Sequence, residues 1–270
     1  MDKICGNSTR YFAIIRLVAN NWTREQLIVT FNLYCKIPFA KAVQTNPDVI
    51  RVAEIIGRSP GAVAFKLGNF GSFDLELKKR GIGGLPNTSK LDRQIWDEFH
   101  ENWDQLAFES ERLISEFSNT PMEELKSVQI DDLPVGADRE SIVRVRVNQG
   151  FFRRSVLSIY GDKCCITGID LEPLLIASHI VPWRLAEKDR TNPQNGLCLN
   201  AFHDRAFDRG LITITPDYKI LISREFRTAS SRGECRSYFE ELEGRNIDLP
   251  DKFFPDRSFL KFHNDAIFRK

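Results

Sequence analysis

The chain holds four histidines among 270 residues. Two of them, His179 and His203, fall in one window, IASHIVPWRLAEKDRTNPQNGLCLNAFHDRAFDRG, which also carries Asn195, Asp204 and Asp208. An imidazole exchanges a proton near neutral pH, and aspartates at i and i+4 share one face of a helix. These residue types suit proton transfer and the holding of a hard cation. Taken singly, each has a plain structural reading: a buried histidine beside a Pro-Trp turn, or a helix end at which Asp208 pairs with Arg205 or Arg209. Their order and spacing within one short frame favour chemistry.

The elements that must position them follow from local pattern. LEPLLIASHIV predicts a strand ending near His179, RLAEKDRTNPQ a polar loop and NGLCL a second short strand. NAFHDRAFDRG predicts a helix capped by Asn200 and stopped by Gly210. That order sets a histidine at a strand end, Asn195 in the returning loop, and His203, Asp204 and Asp208 on a helix facing the same spot. By helical geometry His203 lies about 100° around from Asp204 and shares its face with Phe207. Beyond the window, LITITPDYKILIS alternates in period two around Pro216-Asp217 and predicts a hairpin.

Strand, loop, strand, helix with these residues resembles the HNH, or ββα-metal, nuclease motif. The resemblance runs from CCITG through FDRGLITI, and the N-terminal half is similar to the helical region of bacterial HNH endonucleases. It implies an α+β protein, an N-terminal helical domain followed by a ββα-metal nuclease domain, that hydrolyses duplex DNA with a divalent metal and serves in defence against foreign DNA. Phosphodiester hydrolysis needs an activated water and a cation that stabilises developing charge. In the family's terms His179 is the base, because a neutral imidazole adds no negative charge beside the phosphate. Asn195 resembles the central asparagine that braces the loop. Colicin-type spacing, nine and thirteen residues beyond that asparagine, gives Asp204 and Asp208 as metal ligands, with His203 the alternative catalytic or ligating residue. Many relatives carry Asp, Glu or His immediately before the base; here that position is Ser178, a weak ligand. Carboxylates then dominate, which points to Mg²⁺ or Mn²⁺. The serine also supports a competing class, a non-catalytic DNA-binding regulator with a degenerate nuclease frame. A third reading is a nuclease subunit activated by a separate partner, and a homodimer would suit double-strand cleavage.

With 38 basic and 37 acidic residues the formal charge is +1, so contact with a polyanion depends on local patches. Arg153 and Arg154, with Arg144 and Arg146, form one such patch; Arg184, Arg190, Arg205 and Arg209 are candidate phosphate clamps. In the first half, Thr23 with Gln26 caps a helix burying Leu27, Ile28, Phe31 and Cys35. Asn46-Pro47 and Ser59-Pro60 start two short helices around a Gly57 turn, a pair that resembles a helix-turn-helix. If so, the second presents Lys66 and Asn69 outward, with Arg58 at its start, for DNA contact; the plain alternative is a helical hairpin that packs. A Gly-rich loop and one long helix capped by Ser89 follow, with Trp96, Phe99, Trp103 and Leu106 as core. The divisions are a helical domain over residues 1–120, a linker over 121–141 and a nuclease domain over 142–270, the last opening with a strand-like IVRVRV before a helix that buries Phe152.

Six cysteines, with Cys164 and Cys165 adjacent, make no disulfide framework and lack the spacing of a structural zinc site. The N-terminal apolar run is too short, and too interrupted by Arg16, to span a bilayer. A cytoplasmic protein without membrane contact is expected. The tail reads as a turn-rich loop and a closing helix in which His263 is structural.

Overall fold

Helix starts are set where a side chain accepts the N–H groups that a first turn leaves unpaired. The computed structural model describes residues 21–85, 87–122, 139–229 and 233–270. The N-terminal apolar run and most of the expected linker lie outside the described residues. Helix α1 (Arg24–Lys36) opens with the Thr23–Gln26 capping box. Rather than one face, it buries every residue from Leu27 to Cys35, because α2 (Pro47–Ile55), α3 (Pro60–Gly71), α5 (Lys90–Phe99), α6 (Trp103–Ser118) and α7 (Arg139–Ile159) all pack against it. Asn46 and Ser59 cap α2 and α3, each followed by proline, and Gly57 makes the turn at φ +67°.

Three local expectations are corrected. The Gly-rich stretch contains a short helix, α4 (Leu75–Lys79), capped by Asp74. The single long helix after Ser89 is two, because Asn102 leaves helical geometry at φ −128°, ψ 56°; Trp96, Phe99, Trp103 and Leu106 are nonetheless core. The IVRVRV alternation is helical: Val143, Val147 and Phe151 recur every four residues and are buried together, so the period of a helix prevails over that of a strand.

Helix α7 lies between the parts. One side packs on α1 and α6, the other on the antiparallel pair β1 (Leu175–His179) and β2 (Gly196–Asn200). Leu175 pairs with Asn200 and His179 with Gly196. Gly196 sits so close under α7 that a Cβ would lie 2.3 Å from Val156 and 3.1 Å from Phe152. Helix α8 (Ala201–Asp208), capped by Asn200, packs against both strands. The hairpin β3 (Ile212–Ile214) and β4 (Ile220–Ile222) follows. The tail expected to be turn-rich instead holds α9 (Arg224–Ala229) and α10 (Gly233–Leu242) before α11 (Arg257–Ala266). The architecture is α+β. No helix among the described residues is long and apolar enough to cross a membrane.

The stretch 248–256 runs back into the helical half. Lys252 is fully buried, donates to the carbonyls of Tyr34 and Ile37 and lies 3.9 Å above the Tyr34 ring. Burial pushes its ammonium below the ordinary lysine value, opposed by the charge of Asp251. Phe253 meets Tyr34 and Trp103 edge-on, and the Asp251 carboxylate accepts from Phe39 N. A single buried cluster extends from α1 to α11.

Candidate active site

Successive strand residues point to opposite faces, so the end of β1 offers two side chains to two helices. His179 faces α7, where its ring stacks on Phe152 with centroids 3.8 Å apart and planes 10° from parallel. Trp183 meets the ring edge-on at 5.6 Å. Nε2 donates to the Arg190 carbonyl over 2.9 Å; a carbonyl only accepts, so the proton of the neutral ring resides on Nε2. Nδ1 has no hydrogen-bond partner among the described residues. Burial pushes the imidazole below its ordinary value, opposed by the Arg190 hydrogen bond.

Asn195 is fully buried in the returning loop. Its Oδ1 accepts from Val181 N at 2.8 Å, while Nδ2 donates to the carbonyls of Val181 and Asp189 at 3.1 and 3.2 Å. Its backbone carbonyl accepts from Ile180 N. One side chain therefore ties Val181, just after the strand, to Asp189 further along the loop.

Ser178 faces α8. Its hydroxyl is buried without a hydrogen-bond partner, close enough to Asp204 to favour the charged carboxylate though outside normal hydrogen-bond geometry. Burial raises the carboxyls of both Asp204 and Asp208, and the charge of Asp204 raises Asp208 further. Arg205 opposes the rise at both, and Arg209 at Asp208. Asp204, Asp208 and the unpaired Ser178 hydroxyl are oxygen groups of the kind that hard cations take. Among the described residues no group of three or more His, Cys, Asp or Glu converges.

His203 does not face the same spot as the aspartates. It is fully buried on the inner side of α8. Asn200 accepts from Phe202 N and His203 N through Oδ1, which turns Nδ2 toward His203 Nδ1 at 3.1 Å. The opposite nitrogen lies 2.9 Å from the Tyr238 hydroxyl, and Cys164 Sγ is 3.8 Å from Nδ1. Both ring nitrogens are thus spent inside the protein, and burial pushes the imidazole down to about 4.

Lys66 and Asn69 also point inward, contrary to the expectation of a DNA-reading face. Lys66 Nζ binds both Asp92 oxygens at 2.8 and 2.9 Å, and Asn69 Nδ2 binds Oδ2 at 2.9 Å. A carboxylate buried at a helix start needs its charge compensated; Lys66 supplies the opposite charge and Asn69 a further hydrogen bond. Arg58 folds back on Gln26 Oε1 and over the Trp22 ring. Of the arginines in the second half, Arg153 donates to the Leu175 carbonyl at 2.9 Å and Arg154 pairs with Asp162. Arg184, Arg205 and Arg209 are exposed, with no side-chain hydrogen bond or ion pair among the described residues. Arg190 is held by the Trp183 carbonyl and ring.

The order of these elements is also a sequence signature: residues 164–215 match the family model described as HNH endonuclease. This segment is an HNH endonuclease domain. The match takes in β1, the loop, β2, α8 and β3, hence every residue of the window. No curated protein matches the chain. What sequence reasoning about the HNH domain missed are Phe152 as the stacking partner of His179, the Arg190 carbonyl and the buried Thr191. Phe152 was visible only as an apolar position, and a backbone carbonyl leaves no trace in residue types.

Proposed function

We propose that the chain is a metal-dependent DNA endonuclease with His179 as its general base. The observation that carries this reading is the His179–Arg190 hydrogen bond: with Nε2 committed, the Nδ1 lone pair is left for reaction at the strand end of an HNH domain. Nδ1 takes a proton from water as the water oxygen bonds to phosphorus; the bond to the departing sugar oxygen breaks, and solvent protonates that oxygen. Asn195 keeps the loop closed so that the Arg190 carbonyl stays in place. Asp204 and Asp208 would hold a divalent cation, Mg²⁺ or Mn²⁺, with the Ser178 hydroxyl beside them; the hydrogen bonds of His203 to Asn200 and Tyr238 favour the aspartates over it as ligands. When bound, such an ion supplies stabilisation of the charge that develops on phosphate and leaving oxygen. Arg205 and Arg209 flank the acidic pair, and with Arg184, Arg153 and Arg154 they are the candidate phosphate contacts. The HNH resemblance supports a setting in defence against foreign DNA.

The second reading, a DNA-binding protein with a degenerate frame, is favoured by Ser178, which leaves two carboxylates where many relatives have a further ligand. Incubation of purified protein with supercoiled plasmid separates the two. Nicking or linearisation that depends on Mg²⁺ or Mn²⁺ and stops with chelator is expected; retained DNA binding without cleavage at any metal concentration would overturn the nuclease reading.

A further inference from the structure

The base is held on two sides, and both holds lead out of the HNH domain into the helical half. The face of the ring rests on Phe152 of α7, the helix whose opposite side packs on α1 and α6. The edge of the ring is fixed by the Arg190 carbonyl. That carbonyl belongs to a planar peptide unit shared with the nitrogen and Cα of Thr191, so it cannot swing unless Thr191 moves. Thr191 is fully buried, and its hydroxyl donates to Asp104 Oδ1. Asp104 stands in the first turn of α6, in sequence far outside residues 164–215.

We propose that Asp104 is a positioning residue for His179, acting through the Thr191 hydroxyl and the Arg190 carbonyl, so that the helical half sets the orientation of the base. The inference rests on His179 being the general base. Without the acceptor on α6, the buried hydroxyl seeks another partner, the 190–191 peptide turns with it and Nε2 loses its anchor; the imidazole then rotates about its contact with Phe152 and Nδ1 leaves its line to the water. Misplacement of a reacting group by about 1 Å can cost roughly a hundredfold in rate.

The test compares variants of the full chain at saturating plasmid. Thr191→Val, which keeps shape and loses the hydroxyl, is expected to lower kcat by roughly tenfold to a hundredfold with KM for DNA unchanged, whereas Thr191→Ser retains activity. Asp104→Ala should behave as Thr191→Val does, and Asp104→Asn, which keeps an acceptor oxygen, should be rescued. The Asp104→Ala/Thr191→Val double variant should be no slower than the worse single, as expected for two residues acting through one bond. Wild-type kcat in Thr191→Val, or an equal loss in Thr191→Ser, overturns the proposal. If Thr191→Val fails to fold, the Asp104→Ala and Asp104→Asn pair, at a half-buried site, carries the same comparison. A wild-type protein that cuts no DNA would defeat the nuclease reading instead. Positioning is then read from the His179 ring proton resonances, which the stacked Phe152 ring displaces: movement in Thr191→Val but not in Thr191→Ser supports the tie, and no movement overturns it.

Discussion

Each histidine of the C-terminal half commits one ring nitrogen to a carbonyl or hydroxyl, and what the other nitrogen meets separates their roles. In His203 it meets Asn200, and in His263 it meets Thr213 at 2.8 Å; in His179 it has no hydrogen-bond partner among the described residues. His179→Ala is therefore expected to reduce plasmid cleavage by a factor on the order of 10² to 10⁴, while circular dichroism and DNA affinity stay near wild type. Comparable turnover would remove the assignment of the base. The same contrast ranks the metal ligands. Asp204→Ala should weaken Mn²⁺ binding in a calorimetric titration, whereas His203→Ala should leave it nearly unchanged and lower stability by about 2 kcal/mol through loss of a buried, fully bonded side chain. The reverse ranking would transfer the ligand to His203.

At the scale of elements, the buried pair on α3 and α5 turns a supposed recognition helix into packing. Lys66→Ala strands the Asp92 carboxylate, 26 residues away in sequence, and is expected to cost about 3–5 kcal/mol, measured by urea denaturation. A change confined to DNA affinity, with the denaturation midpoint unmoved, would return Lys66 to the surface. This case shows what could be read in advance. Caps such as Thr23 with Gln26 or Ser89 with Asp92, the turn at Gly57 and the β1–loop–β2–α8 order are local, set by residues a few positions apart, and the sequence displays them. The inward face of α8 is not local: it is chosen by Cys164 and Tyr238, 39 and 35 residues from His203. The IVRVRV stretch satisfies both periods over six residues, and only the continuation through Phe151 decides between them. The Asn195 side chain bonds backbone 14 and 6 residues away, within the window the sequence displays; the tie from Thr191 to Asp104 spans 87 residues and leaves no local pattern.

For the whole molecule, acid is an expected weakness with an identifiable contributor. His263 donates from Nε2 to the Phe207 carbonyl, accepts from Thr213 at Nδ1 and stacks on the Phe207 ring at 3.7 Å. Burial pushes its imidazole down to about 4, below its unfolded value of about 6.5. The unfolded chain thus binds the proton more readily between those values, and the stability that the neutral ring provides is present above about pH 6.5 and lost as pH falls toward 4. Between pH 7 and 5 the loss should be about 2 kcal/mol, and His263→Leu should flatten that part of the pH profile in urea denaturation. A profile equally steep in the variant would assign the loss to other groups. Finally, the segment carrying Lys252 and Phe253 bears on how the protein comes apart. Its ammonium can leave the Tyr34 and Ile37 carbonyls only if α1 is exposed, and its neighbour Asp248 is hydrogen-bonded to Cys165 at the start of the HNH domain. Melting of either half therefore strips a buried charge from its partners in the other. Calorimetry should record one heat-absorption peak whose van't Hoff and calorimetric enthalpies agree, and Lys252→Met should split or broaden it; two resolved peaks in the wild type would mean the strap does not link the halves energetically.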